Sequence, residues 1–594
     1  MNFGGRKSAL RRCGMTIVAA TGLLVGLPLS AMSVTEFGAR GDGSFDNAAA
    51  LQRALTHAAA NPGTILSFPQ GVYVVRTPQA PDGFPRGRFF ELQNVQDLTI
   101  DGNGSELIFT ELYGGFVFEQ CGNITIRDLT MDYDPPIFSQ GDILHLQQDP
   151  PAITVRTDPG YPTPDDKIFE PRFSTWMTAH HRNKDLAYAI AFRCDKLEKL
   201  KPRTFRIFHD NRGLGRALQG EKDLRYVRVA RHGGWLMRFN FCRNVRVEHT
   251  RVHASSGFLG LFCMCENITI RGNAVVPRPG SGRIIATCAD GYHLIGCHGW
   301  IVIEDNTFDR LEDDNVVIVL RGNRILRVSE DRRQVVLKKQ SVTWYRRNDT
   351  ARVVDFRTGS KTDYTVVDVD IKGRFPKVSD ITLTLDRPLQ EGIILHEQAE
   401  TSEVPPHLVF DADLTGEATV RNNRFLNNRA RGVLVSSMHV TVERNRFSRS
   451  AFPPILVKSF ARSSRPVYTY PTDDLVVRDN RLEYGMNFGG RTGNKGAITV
   501  TLTDDHRRHA VHDVQVFRNI SILGNTLLRT GTAGIHVANA RDVKIRGNRI
   551  LYPHQLSGGD ERYGVLLEAV QDVVLDANTV TGEDLTAPVS PLEP

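Results

Sequence analysis

The stretch NITIRGN at residues 267–273 decides the fold, because it returns along the chain. It recurs as WIVIEDN (300–306), EATVRNN (417–423), HVTVERN (439–445), DLVVRDN (474–480), NISILGN (519–525), DVKIRGN (542–548) and DVVLDAN (572–578), with an early form DLTIDGN at 97–103. Each copy alternates apolar and polar residues and ends on Asn, the pattern of a strand closed by a turn. Where insertions are shortest the interval is tight: Asn423 to Asn445 is 22 residues and Asn525 to Asn548 is 23. A repeat of that length without a helical pattern inside it predicts an all-β chain wound as a right-handed parallel β-helix, in which each coil buries its inward side chains against its neighbours. The recurrent Asn is expected at the bend after the strand, in left-handed backbone geometry, with its amide in a ladder from coil to coil.

Outward from the repeat, two regions break it. Residues 145–228 lack the Asn-terminated unit, and 321–412 carry alternating runs such as ILRVSEDRRQVVLKK, DYTVVDVDI and ITLTLDRPL. Both are read as inserted antiparallel β subdomains, since loops of such length rarely lack structure of their own. The β-helix is then divided into an N-terminal cap and first coils (34–144), central coils (229–320) and C-terminal coils (413–580), with a Pro-rich acidic tail at 581–594. Residues 46–60 read as a helix capped by Asp46 that covers the open edge of the first coil. Residues 1–33 read as a signal peptide: Arg6, Lys7, Arg11 and Arg12 precede an apolar run at 15–29 and small residues at 30–33. The arginine pair resembles a twin-arginine signal, the mature chain is expected from Val34, and a secreted or periplasmic location follows.

Composition narrows the partners. The 594 residues exceed one ordinary globular core, and the formal net charge of +7 is small for that length and scattered, as in RHGGW, RGNRILR and RARG. Those basic groups are read as a solvated surface; with no basic run interleaved with aromatics, no nucleic-acid partner is expected. No run after the leader reaches the roughly 18 apolar residues of a membrane helix, so no membrane is expected either. Of eight cysteines, Cys13 lies in the leader, and seven are no disulfide framework. Cys242, Cys263, Cys265, Cys288 and Cys297 sit in strand-like runs and are expected as buried thiols, without the spacing of a zinc site. No cofactor is expected.

The chemistry is expected in CADGYHLIGCHGWIVIEDNTFDRLEDDNVVIVL, residues 288–320. It holds Asp290 and, 23 residues after it, Asp313, followed by Asp314. Asp313 falls seven residues after the repeat Asn306; once the insertion PRPGSGRIIA after Asn273 is allowed for, Asp290 falls at the equivalent place on the preceding coil. Adjacent strands lie about 4.8 Å apart, so three carboxyl groups are expected at one outer corner. Like charges about 6 Å apart at an effective dielectric of about 20 repel by roughly 3 kcal/mol before screening, which favours one protonated acid beside ionised neighbours. That is the pairing glycosidic bond cleavage needs, in retaining or inverting geometry. A calcium site and plain turn chemistry remain alternatives at this point. Around the carboxylates, Tyr292 and His293 are expected to bond sugar hydroxyls, Trp300 to stack on the sugar, Arg283 to flank the site and Asn315 to orient the acidic pair. Packing of Tyr292 or Trp300 between coils is the competing reading.

Three features together carry a family resemblance: CADGYH (288–293), EDDNVVI (312–318) and MDYDPPIFSQGDI (131–143), with the opening VTEFGARGDGSFDNAAALQRAL. The opening resembles that of the pectin-lyase-like superfamily. The whole set resembles the α-1,3-galactosidases of glycoside hydrolase family 110, whose β-helix carries small appended barrels. The resemblance implies an inverting, metal-independent exo-hydrolase of terminal α-1,3-linked galactose, as in the blood-group B determinant, with an oligosaccharide or glycoconjugate as partner. It implies Asp290 as general acid, and Asp313 and Asp314 as the pair that holds and deprotonates water. A polygalacturonase is the nearest rival, but the Gly-His-Gly turn and Arg-x-Lys cluster of those enzymes do not follow Asp314. A non-catalytic glycan-binding β-helix is the third reading, and whether the inserts support a homodimer is left open.

Overall fold

The computed structural model describes residues 30–591 apart from 77–89, 113, 170–173, 182–191, 210–217, 219–222, 232–233, 339–344, 375–376, 398–406, 461–468, 487–494, 504–512 and 557–561. The stretch read as a signal peptide therefore lies outside the described residues as far as position 29. Its expected end does not: Ser30–Ser33 forms a strand parallel to Thr64–Ser67, and the Ser33 hydroxyl accepts the N–H of Thr35, so the first coil begins inside the stretch read as leader.

The chain is a right-handed parallel β-helix, as the repeat predicts, and carries two inserted closed barrels. Two large parallel sheets, of 23 and 13 strands, run its length. One coil shows the logic: Tyr292–Ile295, a bend at Gly296, His298–Glu304, then Thr307–Asp309 after the Asn306 turn. Inward positions repeat in register, so like stacks on like. Phe118, Phe239 and Phe262 lie 4.9 and 4.8 Å apart by ring centroid, and Phe308, Phe425 and Phe447 lie 5.2 and 4.7 Å apart.

The asparagine ladder is present. Asn273, Asn306, Asn423, Asn445, Asn480, Asn525, Asn548 and Asn578 follow one another, each Nδ2 donating to the next Oδ1 at 2.9–3.0 Å. The left-handed residue is one place earlier than expected: Asp305, Asn422, Arg444, Asp479 and Ala577 have φ between 52° and 60°. The bend must be made before the amide, so that the amide can turn inward under the next coil. Asn103 of the early copy is exposed and stands outside the ladder.

The helix Ala48–Ala60 covers the first coils with Leu51, Ala54, Leu55 and Ala58, and Asp46 accepts the N–H of Ala48 at 3.1 Å. The inserts are closed six-stranded barrels, spanning Phe138–Gln147 to Leu224–Arg231 and Asn323–Val328 to Leu408–Asp411. The first is longer at both ends than 145–228, because its outer strands, Phe138–Gln147 and Leu224–Arg231, begin and end among residues read as helix coils. The tail carries a strand as well: Ala587–Val589 pairs with the strand Tyr563–Asp576. The seven described cysteines are free thiols, all buried except the half-buried Cys194.

Candidate active site

The strand Tyr292–Ile295 lies parallel to Val316–Val319, with Tyr292 opposite Val316. The ladder continues one step toward the turn, where Gly291 N–H donates to Asp314 O at 2.8 Å. Asp290 therefore stands opposite Asp314, a register of 24 rather than 23 residues. Asp313 sits one position back in the same turn. A side chain on Gly291 would meet the Asn315 carbonyl oxygen at 2.3 Å, so glycine is what lets these two coils approach here. The next coil joins through Asn315 N–H to Arg431 O at 2.9 Å, which puts Arg431 opposite Asp314. On the other side Leu259 N–H donates to Asp290 O, so Phe258 stands opposite Asp290.

These neighbours set the charges. Asp314 accepts the Arg431 guanidinium at 3.0 and 3.1 Å and the Arg431 backbone N–H at 3.1 Å. Burial works against the Arg431 charge, but Asp314, then Asp313 and Asp290, hold its pKa above the usual value. Asp313 lies 3.3 Å from Nη2 of Arg429. Asp290, 7% exposed, meets His293 Nδ1 at 2.7 Å. Its carboxyl is pushed up to about 6, first by burial, then by the charge of Asp313 and, more weakly, Asp314, against the pull of His293. A carboxyl that keeps its proton to about pH 6 beside two arginine-held carboxylates can give a proton on one side and take one on the other.

Of the flanking residues expected at the sugar, His293 alone is joined to the carboxylates, and its ring also lies 5.1 Å from Phe258. Tyr292 is a correction: it is fully buried, with its ring 6.0 Å from Phe308 in the interior, because alternation sends it inward where His293 goes outward. Trp300 lies past the bend on the next strand, opposite Glu417, and is 42% exposed there. Arg283 is engaged elsewhere, bonding Asp132 at 2.5 Å and the carbonyl of Tyr133 at 3.0 Å. That pairing gives Asp132 of the MDYDPP run its role, which is to pin the loop that leads into Asp290. Asn315 is fully buried and has no hydrogen bond from its amide, so it does not orient the acidic pair.

The residues missed were the counter-charges. Arg429 and Arg431 come from the RARG run read as solvated surface, yet Arg429 is 11% exposed at its side chain and Arg431 equally little. They occupy the corner one coil on from Asp313 and Asp314, which becomes visible only when the second barrel is subtracted from the count.

The profile of a family described as "Rhamnogalacturonase A/epimerase, pectate lyase-like" matches residues 31–120, and that of "Right handed beta helix region" matches 408–551. α-1,3-Galactosidase B of Bacteroides thetaiotaomicron is 23% identical, over 93% of this chain and 91% of that protein. α-1,3-Galactosidase A of Shewanella woodyi is 23% identical over 76% and 75%, and α-1,3-galactosidase A of B. thetaiotaomicron is 23% identical over 78% and 84%.

Proposed function

We propose that this chain, a glycoside hydrolase of the pectate-lyase-like β-helix superfamily, is an exported exo-α-1,3-galactosidase that removes terminal α-1,3-linked galactose by a single inverting displacement. The observation that carries the reading is three carboxyls at one corner, Asp290 opposite the arginine-clamped Asp314 with Asp313 beside it, where burial and the neighbouring charges push the Asp290 carboxyl up to about 6. The names of the relatives support galactose as the sugar and α-1,3 as the linkage.

In this scheme Asp290 gives its proton to the glycosidic oxygen as the bond from that oxygen to C1 breaks. Water attacks C1 from the opposite face, and Asp313 takes its proton. Asp314, with both oxygens engaged by Arg431, holds the water in place. The products are β-galactose and the shortened glycan.

One observation favours a second assignment of roles. Asp313 is the most exposed of the three, 23% at the side chain against 10% for Asp290 and 9% for Asp314, and is thus the easiest for a leaving oxygen to reach. In that version Asp313 donates and Asp290 and Asp314 hold the water.

The test is hydrolysis of an α-1,3-linked galactose disaccharide and of the fucosylated B trisaccharide, with the anomer released followed by proton NMR and polygalacturonate as the control. β-Galactose released first is expected; α-galactose would end the inverting scheme, and galacturonate alone would end the galactosidase reading. An aryl α-galactoside with a good leaving group separates the roles. The donor variant keeps most of its activity on it, whereas a base variant recovers only with added azide, giving β-galactosyl azide.

A further inference from the structure

The first barrel meets the β-helix beside the carboxylates. His180, on the barrel strand Ser174–His181, has Nε2 2.9 Å from Thr178 Oγ1 and 3.3 Å from Oε1 of Glu312. Glu312 immediately precedes Asp313, is 2% exposed, and takes no part in the proton transfers described above. Its other oxygen lies 3.5 Å from Nε of Arg429, whose Nη2 lies 3.3 Å from Asp313. The same Nε also donates to the Glu312 carbonyl, which fixes the guanidinium in the plane between the two side chains. One buried cation thus faces two carboxylates, one at the reacting centre and one not. The second of these also faces an imidazole from an inserted domain.

A carboxylate as enclosed as Glu312 keeps its charge only when partners repay desolvation. Burial raises its pKa, but His180, Arg429 and Thr178 outweigh that and hold it below the usual range. Glu312 therefore draws on Arg429 as an anion, in competition with Asp313.

We propose that Glu312, Arg429 and His180 are positioning residues for Asp313: the guanidinium is shared between Glu312 and Asp313, and His180 sets the share by engaging Glu312 from the barrel side. The proposal rests on the glycosidase reading only for the importance given to Asp313. Asp290, Asp314 and Arg431 also face Asp313, with His293 behind Asp290. They are unchanged in every variant below, so differences report on the shared guanidinium. If the network merely fastens barrel to helix, the variants lose stability while Asp313 titrates as before.

The signs are opposed, which makes the test sharp. Arg429→Met removes the cation, and Asp313 should hold its proton to a pH about one unit higher. Glu312→Gln removes a like charge and leaves Arg429 to Asp313, which should lose its proton about one unit lower. His180→Asn frees Glu312 to draw Arg429 more strongly, a smaller upward shift, and Arg429→Lys should return most of the way to wild type. The readout is the pH dependence of carbodiimide labelling at Asp313 in the full chain, resolved by peptide mass spectrometry, alongside kcat/KM on an α-1,3-galactoside. Carbodiimides modify the protonated carboxyl, so the labelling midpoint needs no substrate. Midpoints that move up for Arg429→Met and down for Glu312→Gln support the proposal; should Arg429→Met not fold, the Glu312→Gln and His180→Asn pair carries the same opposed signs. Coincident midpoints in an enzyme that hydrolyses the galactoside would overturn the proposal alone. Shifted midpoints in a protein that hydrolyses no galactoside would overturn the galactosidase reading and leave the shared guanidinium standing.

Discussion

The two inserted barrels are the same object used twice. In each, the strands close in the order first, second, fifth, fourth, third, sixth, and each has its own apolar core apart from that of the β-helix. They leave the β-helix at opposite ends of the strip that carries the site. The first departs at the turn after Thr130–Tyr133 and returns at Trp235–Asn240; the second departs after Val316–Val319 and returns before Gly416–Arg421. Their contacts differ accordingly. The first holds the loop before Asp290 through Gln140, which accepts from Ile284 N–H at 2.9 Å and donates to Gly282 O at 3.0 Å, and it reaches Glu312 with His180. The second grips the later coils: Lys361 pairs with Asp473 at 2.5 Å, Arg352 reaches the Tyr470 hydroxyl at 3.0 Å, and Arg518 donates to Gly359 O at 2.5 Å. The first barrel touches the corner that bears the carboxylates, through Glu312 and the loop before Asp290; the second, at the far end of the strand, braces the later coils.

The largest expected effect breaks this contrast at its reactive end. Asp313→Asn should lower kcat by about 10²–10⁴-fold, the range of a lost general acid or base, with an unchanged melting curve. A full loss of fold instead would make the acidic turn structural. Next comes the brace. Lys361→Met leaves Asp473 buried against Tyr470 without its cation, which should cost about 3 kcal/mol of stability in a denaturant titration while kcat per folded molecule stays within about twofold. A large fall in kcat would mean that the second barrel also acts on the site.

A third effect, of about 2 to 3 kcal/mol at most, concerns Asp290. In the fold it keeps its proton to about pH 6, whereas in an unfolded chain it loses it near 3.8, the ordinary value of an aspartate. Between those values the folded state binds more protons, so stability falls as pH rises through this window and stays lower above it. Asp290→Asn removes the titration. The variant should melt above wild type at pH 7.5 and lose that advantage at pH 4; equal melting at both would mean the carboxyl is not raised.

Much of this could be read from the chain, and where it could not, the reason is geometric. The coils were legible because each repeat is local: NITIRGN and WIVIEDN show their own alternation without knowledge of their neighbours. Asp290, Asp313 and Asp314 were legible as residues of one corner for the same reason, but the register between them was not. The ten-residue insertion at 277–286 blurs the count by one, and only the Gly291 to Asp314 hydrogen bond resolves it to 24. Arg429 and Arg431 lay beyond reach because a whole barrel separates them in sequence from the aspartates they face. His180 lay further still, since nothing in a strand pattern says where an inserted domain will touch its host.

The smallest expected effects are at the aromatic residues and bear on how sharply the site is bounded. Trp300 is 42% exposed past the bend at Gly296, opposite Glu417, while Phe258, on the preceding coil, lies against His293 beside Asp290. Surface changes away from a functional group shift stability by less than about 0.5 kcal/mol, so Trp300→Ala should leave both the melting curve and kcat/KM within about twofold of wild type. Tyr292→Phe should be equally quiet in kcat/KM, because its ring packs among Phe262 and Phe308 and its hydroxyl never reaches the outer face. Phe258→Ala, by contrast, removes the ring that holds His293 against Asp290 and should lower kcat/KM by about tenfold, the lower range for a misplaced supporting group. If Trp300→Ala were the more damaging of the two, the sugar would lie across the bend and along the next strand, and the boundary drawn between the site and the second barrel would have to move with it.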